Sequence, residues 1–155
     1  MSKKPQLENS VVAFIDILGY KGLFKNKTKD EINDKIKELY DSFQKAKDKS
    51  KMNLDEKLIR TKLEKYIYWK ILYFSDCILL SQVFFDEKKF YLSFSNIERM
   101  VANFQLEMVL NRFFIRGGLT LGDIAITKNF IADPALIDAH ELENEKAVFP
   151  RIVLS

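Results

Sequence analysis

Hydrophobic and polar residues follow one another in blocks that predict short strands separated by helices. The strands are apolar runs rich in β-branched and aromatic residues, bounded by glycine or polar turn residues. They are predicted at residues 11–18, in an antiparallel hairpin over 65–84, at 113–127 and at 151–155. The hairpin turn is placed at Ser75 and Asp76, and residues 113–127 form one strand or two strands around a bend at Gly122.

The spacing of apolar residues predicts two long helices. The first begins at Thr28, because Thr28 and Glu31 have the spacing of a capping box, in which each satisfies a free backbone N–H group. The second spans about residues 88–111. In both helices apolar residues recur every three or four positions, which indicates one buried face. These residues are Ile32, Ile36, Leu39, Tyr40 and Phe43 in the first helix, and Phe94, Ile97, Val101, Phe104 and Met108 in the second.

A third helix is predicted where Asp133 precedes Pro134, since an acidic N-cap followed by proline at the first helical position favours a helix start. It should end before Pro150. The polar segment 45–57 is predicted to be a loop or a frayed helix end.

The resulting order of elements predicts an α+β fold. A βαββαβ unit is the ferredoxin-like arrangement, an antiparallel sheet with helices packed on one face. At 155 residues the chain is expected to be a single domain, with residues 1–10 flexible.

Composition and charge exclude several functional classes. The chain is 47% hydrophobic and 30% charged, which is typical of a folded globular protein. The net charge of +3 arises mainly from lysines of the segment 21–70, where acidic residues are interleaved, so we expect a solvated helical face and no nucleic-acid partner. The chain has one cysteine, Cys77, and neither a signal peptide nor an apolar run that could span a bilayer. We therefore expect a cytoplasmic protein without a membrane partner.

Two aspartates stand where apolar strands end. Asp16 follows the run VVAFI, and Asp76 lies in the predicted hairpin turn. In the predicted topology both can lie at one edge of the sheet, where two carboxylates repel unless a cation lies between them. Oxygen ligands favour Mg²⁺ or Mn²⁺, which also bind substrate phosphates, and Gly19 would let backbone N–H groups approach those phosphates. The alternative is that each aspartate is an ordinary turn residue or helix cap.

The segment RGGLTLG, residues 116–122, is a third candidate. Glycines within a strand often mark a bulge or a close approach of another backbone. Arg116 could face a phosphate or the metal, or it could pair with a surface carboxylate. Cys77 is expected on the opposite side of its strand from Asp76, in the core.

Together these segments resemble the catalytic domains of class III nucleotidyl cyclases. FIDILGY (14–20) is similar to the signature that opens those domains, FSDCILL (74–80) to the hairpin with their second metal aspartate, and RGGLTLG to their later strand. More narrowly, the chain resembles compact bacterial members, including the pyrimidine nucleotide cyclases of antiphage signalling.

The resemblance implies a reaction and a set of site residues. Asp16 and Asp76 would hold two Mg²⁺ or Mn²⁺ ions, assisted by the carbonyl of Ile17. The ribose 3′-oxygen of a nucleoside triphosphate would attack the α-phosphate, giving a 3′,5′-cyclic mononucleotide and pyrophosphate. Backbone N–H groups of Gly19 and Tyr20 would bind the phosphates. A head-to-tail homodimer would complete the site.

The chain also departs from that family. Leu72 occupies the position of a purine-reading Lys or Glu, and Ile137 and Glu141 occupy those of an Asn/Arg pair that stabilises the transition state. Arg116, Lys128 or Arg151 could substitute. The chain ends at Ser155, earlier than cyclase domains generally do, so C-terminal elements could be missing. Two alternatives therefore stay open: a catalytically degenerate nucleotide-binding regulator, and a palm-type oligonucleotide cyclase. The second commonly has adjacent acidic residues at the hairpin, where this chain has Cys77 after Asp76.

Overall fold

The computed structural model describes residues 5–52, 69–84, 86–127, 131–132 and 134–155. Within these ranges the chain forms six strands and four helices. In chain order they are β1 (Glu8–Ile17), α1 (Tyr20–Phe24), α2 (Lys29–Met52), β2 (Trp69–Phe74), β3 (Cys77–Val83), α3 (Glu87–Leu110), β4 (Ile115–Ile126), β5 (Ile131–Ala132), α4 (Pro134–Lys146) and β6 (Ile152–Leu154).

The strands form one sheet in the order β2-β3-β1-β4-β5, and β6 pairs with β4. Neighbours along that order are antiparallel, whereas β6 runs parallel to β4. The strand order 2-3-1-4 is that of the ferredoxin-like βαββαβ core, so the predicted fold class is confirmed.

The central strand β1 is buried on both faces, which explains its unbroken apolar run. Val11, Ala13, Ile15 and Ile17 pack against the core helices α2 and α3. Val12 and Phe14 face the opposite way and pack with residues of α4. The two helices of the ferredoxin-like core therefore share one face, as predicted, and α4, beyond that core, covers the other. The strand begins at Glu8, inside the segment that was predicted to be flexible.

The capping box at the start of α2 is confirmed. The Thr28 N–H donates to Glu31 Oε2 at 2.7 Å, and the Glu31 N–H donates to Thr28 Oγ1 at 3.3 Å. Leu39 and Phe43 are buried on the predicted face, whereas Ile36 and Tyr40 are exposed.

The helix α2 continues to Met52, so of the two alternatives predicted for residues 45–57 the loop is wrong for residues 45–52, which belong to the end of the helix; residues 53–57 lie outside the described ranges. Ala46 is fully buried, and lysine favours helix, so packing and propensity together extend the helix.

The helix α4 lies unusually close to β4. A Cβ added to Gly118 would lie 2.1 Å from the Ala139 carbonyl oxygen, and one added to Gly122 would lie 2.9 Å from Ala135 Cβ. The strand runs unbroken through both glycines, so Gly122 marks a close helix approach and not a bend. The helix starts at Pro134 as predicted, and its expected N-cap, residue 133, lies outside the described residues. In the described part of the chain, no helix combines the length and apolar character needed to span a membrane.

Candidate active site

Three segments of the core meet at one edge of the sheet: the end of β1, the β2–β3 turn and the start of β4. In the strand register Asp16 lies opposite Cys77 of β3 on one side and opposite Arg116 of β4 on the other. Side chains opposite one another on neighbouring strands share a face of the sheet. These three side chains therefore point toward the face that α4 covers.

The β2–β3 turn brings the second aspartate to the same place. Ser75 adopts a left-handed conformation (φ 58°), and the Ile17 N–H donates to the Asp76 carbonyl at 3.0 Å, which fixes the turn against β1. Ligand atoms of Asp16, Asp76 and Cys77 lie within 4.8 Å of one another. The two aspartates are thus close enough to share a cation.

The prediction that Cys77 lies on the opposite side of its strand from Asp76 is wrong, although its side chain does pack against the core cluster that contains Val12 and Phe14. Its side chain is half-buried on the same face as Asp16, and its thiol donates to Asp76 Oδ1 at 3.6 Å. Asp76 belongs to the turn, so strand alternation does not apply between it and its neighbour, whereas cross-strand pairing places Cys77 beside Asp16. Burial, together with the charges of both aspartates, raises the pKa of Cys77 to about 12, so the thiol is neutral.

Arg116 lies between two carboxylates. Its Nε–H donates to Asp16 Oδ2 at 3.3 Å, and Nε lies 2.5 Å from Glu143 Oε1 of α4. The hydrogen is aligned with Asp16, so Glu143 Oε1 has a charged neighbour but no aligned hydrogen bond. The alternative of a surface carboxylate is therefore wrong: the carboxylate partners of Arg116 are Asp16, a predicted site residue, and Glu143, which is buried.

Glu143 was missed by sequence reasoning, although a signal was present. Ala135, Ala139 and Glu143 follow one another at four-residue intervals and are the buried residues of α4. Small residues at that spacing mark a helix face that lies close against its neighbour, and the next position on that face is the glutamate. Its side chain is 3% exposed.

Burial dominates the electrostatics of the two paired carboxylates. It raises the pKa of Asp16, with a further contribution from Asp76, while the hydrogen bond and charge of Arg116 act against it. Burial also raises the pKa of Glu143, again against the charge of Arg116. Both carboxylates are thus destabilised in their ionised form by the surroundings that the fold imposes.

The charges of this cluster fit a divalent cation. Among the described residues here, the carboxylates Asp16, Asp76 and Glu143 interact with one another, and the Arg116 guanidinium pairs with Asp16 and Glu143, which leaves two negative charges uncompensated when all three carboxylates are ionised. The free donors are carboxylate oxygens, which hard divalent ions prefer. The residues therefore fit Mg²⁺ or Mn²⁺.

The remaining predicted binding residues lie beside this cluster. The Ile17 side chain is buried, and the Ile17 backbone N–H donates a hydrogen bond to the Asp76 carbonyl oxygen. Gly19 is left-handed (φ 74°) and precedes α1, whose first N–H groups have no partner within the helix. The Tyr20 ring packs edge-to-face on Phe24 at 5.0 Å. The phosphate-binding role of Gly19 and Tyr20 stays a prediction.

The three residues at which the sequence departs from the cyclase pattern, Ile137, Glu141 and Leu72, lie in the described part of the chain. Ile137 and Glu141 are both exposed, on the side of α4 that faces away from the sheet. Leu72 is partly buried and packs with the cluster of Val12 and Phe14.

Comparison with known proteins supports the fold. No family model matches the chain, and no curated protein matches it. The chain is similar to the crystal structure of the adenylyl cyclase CyaB from P. aeruginosa, with a TM-score of 0.68 and 16% sequence identity over 99% of this chain and 79% of that one. The chain therefore has a nucleotide-cyclase-like fold.

Proposed function

We propose that this protein is a metal-dependent nucleotidyl cyclase, which converts a nucleoside triphosphate to a 3′,5′-cyclic mononucleotide and pyrophosphate. One observation carries the proposal: Asp16 and Asp76, with ligand atoms within 4.8 Å, meet at a sheet edge of a cyclase-like fold. Strand-end carboxylates on a rigid sheet can hold cations in a fixed position.

Asp16 and Asp76 hold the metal ions in this proposal, with the Ile17 carbonyl as a further ligand. Two bound Mg²⁺ or Mn²⁺ ions would lower the pKa of the ribose 3′-hydroxyl and neutralise the triphosphate. The backbone N–H groups of Gly19 and Tyr20, at the start of α1, bind phosphate oxygens. The 3′-hydroxyl loses its proton to solvent, its oxygen forms a bond to the α-phosphorus, and the bond from the α-phosphorus to the bridging oxygen breaks, so that this oxygen leaves with pyrophosphate. The protein mainly positions the triphosphate and stabilises its charge.

Arg116 supplies the protein's positive charge during pyrophosphate loss. Its Nε is engaged by Asp16 and Glu143, but the guanidinium has further N–H donors on its two Nη atoms, which can bind a phosphate oxygen. Ile137 and Glu141 cannot supply this charge, since one is apolar and the other acidic.

The proposal includes a head-to-tail homodimer. Phe74, which precedes the β2–β3 turn, and Phe114, which precedes β4, are 43% and 51% exposed at the edge that contains the aspartates. Aromatic side chains exposed beside a site are typical of interaction surfaces. The second copy would contribute to the same site.

The substrate is proposed to be a pyrimidine nucleotide, UTP or CTP, and the product a signal in antiphage defence in the cytoplasm. Two arguments support this: the resemblance of FSDCILL and RGGLTLG to compact bacterial cyclases, and apolar Leu72 where purine cyclases have a Lys or Glu. A partly buried leucine cannot donate or accept a hydrogen bond to a purine edge.

The test is an incubation of the purified protein with Mn²⁺ and, separately, ATP, GTP, CTP and UTP, with mass spectrometry of the products. A cyclic mononucleotide from one substrate is expected. Asp76→Asn should abolish it, whereas Asp123→Asn, an exposed aspartate of β4, should not. Full turnover in Asp76→Asn would refute the mechanism.

A nucleotide-binding regulator is the second candidate. It is favoured by the resemblance to class III cyclases, which implies an Asn/Arg pair at the positions that Ile137 and Glu141 occupy here, both exposed on α4. Metal-dependent nucleotide binding without turnover of any of the four substrates would establish it. Cyclic oligonucleotides among the products would instead establish the palm-type enzyme.

A further inference from the structure

Glu143 is a buried glutamate whose ion-pair partner, among the described residues, is Arg116. Its side chain is 3% exposed, and the atom within ion-pair distance of its Oε1 is Arg116 Nε, at 2.5 Å. A carboxylate is costly to bury unless it is paired, so the fold retains Glu143 together with Arg116. The proposed reaction makes no use of Glu143.

The position of Glu143 is fixed by the backbone. Gly118 of β4 allows the Ala139 carbonyl of α4 so close that a Cβ would lie 2.1 Å from its oxygen. Glu143 is one helical turn beyond Ala139 on the same face. The glutamate therefore stands at a fixed height above β4, next to Arg116.

Arg116 and a divalent cation compete for the same carboxylate. The cationic guanidinium donates to Asp16 Oδ2. A metal ion that binds Asp16 must share that carboxylate with Arg116 or displace it. The outcome depends on whether the guanidinium has another anion to pair with, and Glu143 is such an anion.

We propose that Glu143 is a positioning residue that offers the Arg116 guanidinium a second carboxylate, so that Arg116 can shift from Asp16 to Glu143 when Asp16 binds the divalent cation. The inference rests on the proposed metal site at Asp16 and Asp76. Without Glu143, Asp16 is the remaining anionic contact of Arg116 in the described structure, and the guanidinium competes with the metal.

The test is a double-mutant cycle on Mn²⁺ affinity, measured by titration calorimetry without nucleotide on the wild type, E143Q, R116Q and R116Q/E143Q. We expect E143Q, made in the otherwise wild-type protein, to weaken Mn²⁺ binding about tenfold. In the R116Q background the same change should weaken it less than about twofold, because the competitor is gone. An equal loss in both backgrounds would show that Glu143 acts on the metal directly through its charge, and would overturn the inference.

A second variant covers the case in which R116Q does not fold. Glu143→Asp keeps the charge but shortens the side chain by one methylene, so it should lose contact with Arg116 and bind Mn²⁺ as weakly as E143Q. Wild-type affinity in Glu143→Asp would overturn the inference.

Thermal melting of each variant distinguishes lost folding from lost binding, since a purely structural role would lower the melting temperature without the coupling in Mn²⁺ affinity. Two failures are also distinguishable. Absence of Mn²⁺ binding in the wild type, or binding that Asp16→Asn does not weaken, overturns the proposed metal site and the inference with it. Metal binding that depends on Asp16 but not on Glu143 overturns the inference alone.

Discussion

Gly118→Ala tests the close packing that places α4, and with it Glu143, over the sheet. The new Cβ would lie 2.1 Å from the Ala139 carbonyl oxygen and 2.7 Å from Leu142 Cβ. A carbon and a carbonyl oxygen in contact are normally separated by about 3.3 Å. The overlap therefore exceeds about 1 Å, and it is with helix backbone, which cannot rotate aside. The helix must move away from β4.

We expect Gly118→Ala to lower the free energy of unfolding by about 3 kcal/mol, the upper part of the range for overpacked cores. For a chain of this size that corresponds to a fall of about 6–12 °C in melting temperature. Because the displaced helix withdraws Glu143 from Arg116, Mn²⁺ affinity should fall as well. Urea denaturation followed by circular dichroism measures the first effect, and titration calorimetry the second.

Gly22→Ala is the matched control. Gly22 lies within α1, and a Cβ there would have no atom within 4 Å. Since alanine favours helix over glycine, this change should leave the free energy of unfolding unchanged or raise it by up to about 1 kcal/mol. A Gly118→Ala protein within about 0.5 kcal/mol of the wild type would contradict the packing argument.

Three further outcomes are expected. Thr28→Ala removes an N-cap and should lower the free energy of unfolding, measured by urea denaturation, by about 1 kcal/mol. An unchanged free energy of unfolding would show that the capping box does not stabilise the protein. Asp16→Asn should abolish Mn²⁺ binding yet stabilise the metal-free protein at neutral pH, because the pKa of Asp16 is raised in the folded protein and the wild type therefore loses stability as the pH rises through that pKa. The melting temperatures of the two proteins should converge below about pH 4, where the carboxyl is protonated in both states of the wild type, and a difference that persists there would contradict the assignment. The thiol of Cys77, with a pKa of about 12, should react with iodoacetamide at pH 8 at least about 100-fold more slowly than free cysteine, and Asp76→Asn should accelerate this reaction. Mass spectrometry measures the adduct, and a rate equal to that of free cysteine would refute the raised pKa of Cys77.

Local patterns predicted most of the elements because their causes are local. The apolar run of β1, the hairpin around Ser75 and Asp76, and the capping box of α2 each depend on residues within a few positions of one another. The short helix α1 and the two-residue strand β5 were missed, since elements of that length have too few residues to show a period. The sequence left residues 45–57 open between a loop and a helix end, because the burial of Ala46, which favours the helix, depends on tertiary packing.

The sequence by itself determined the fold class and the identity of the two aspartates as candidate ligands, since strand order and strand ends follow from local pattern and topology. Only the tertiary structure decided which groups surround them. Cross-strand register placed Cys77 beside Asp16, and backbone contact between glycine and alanine placed Glu143 over Arg116. Contacts between residues far apart in the chain depend on the exact height and register of packed elements, which no local pattern encodes.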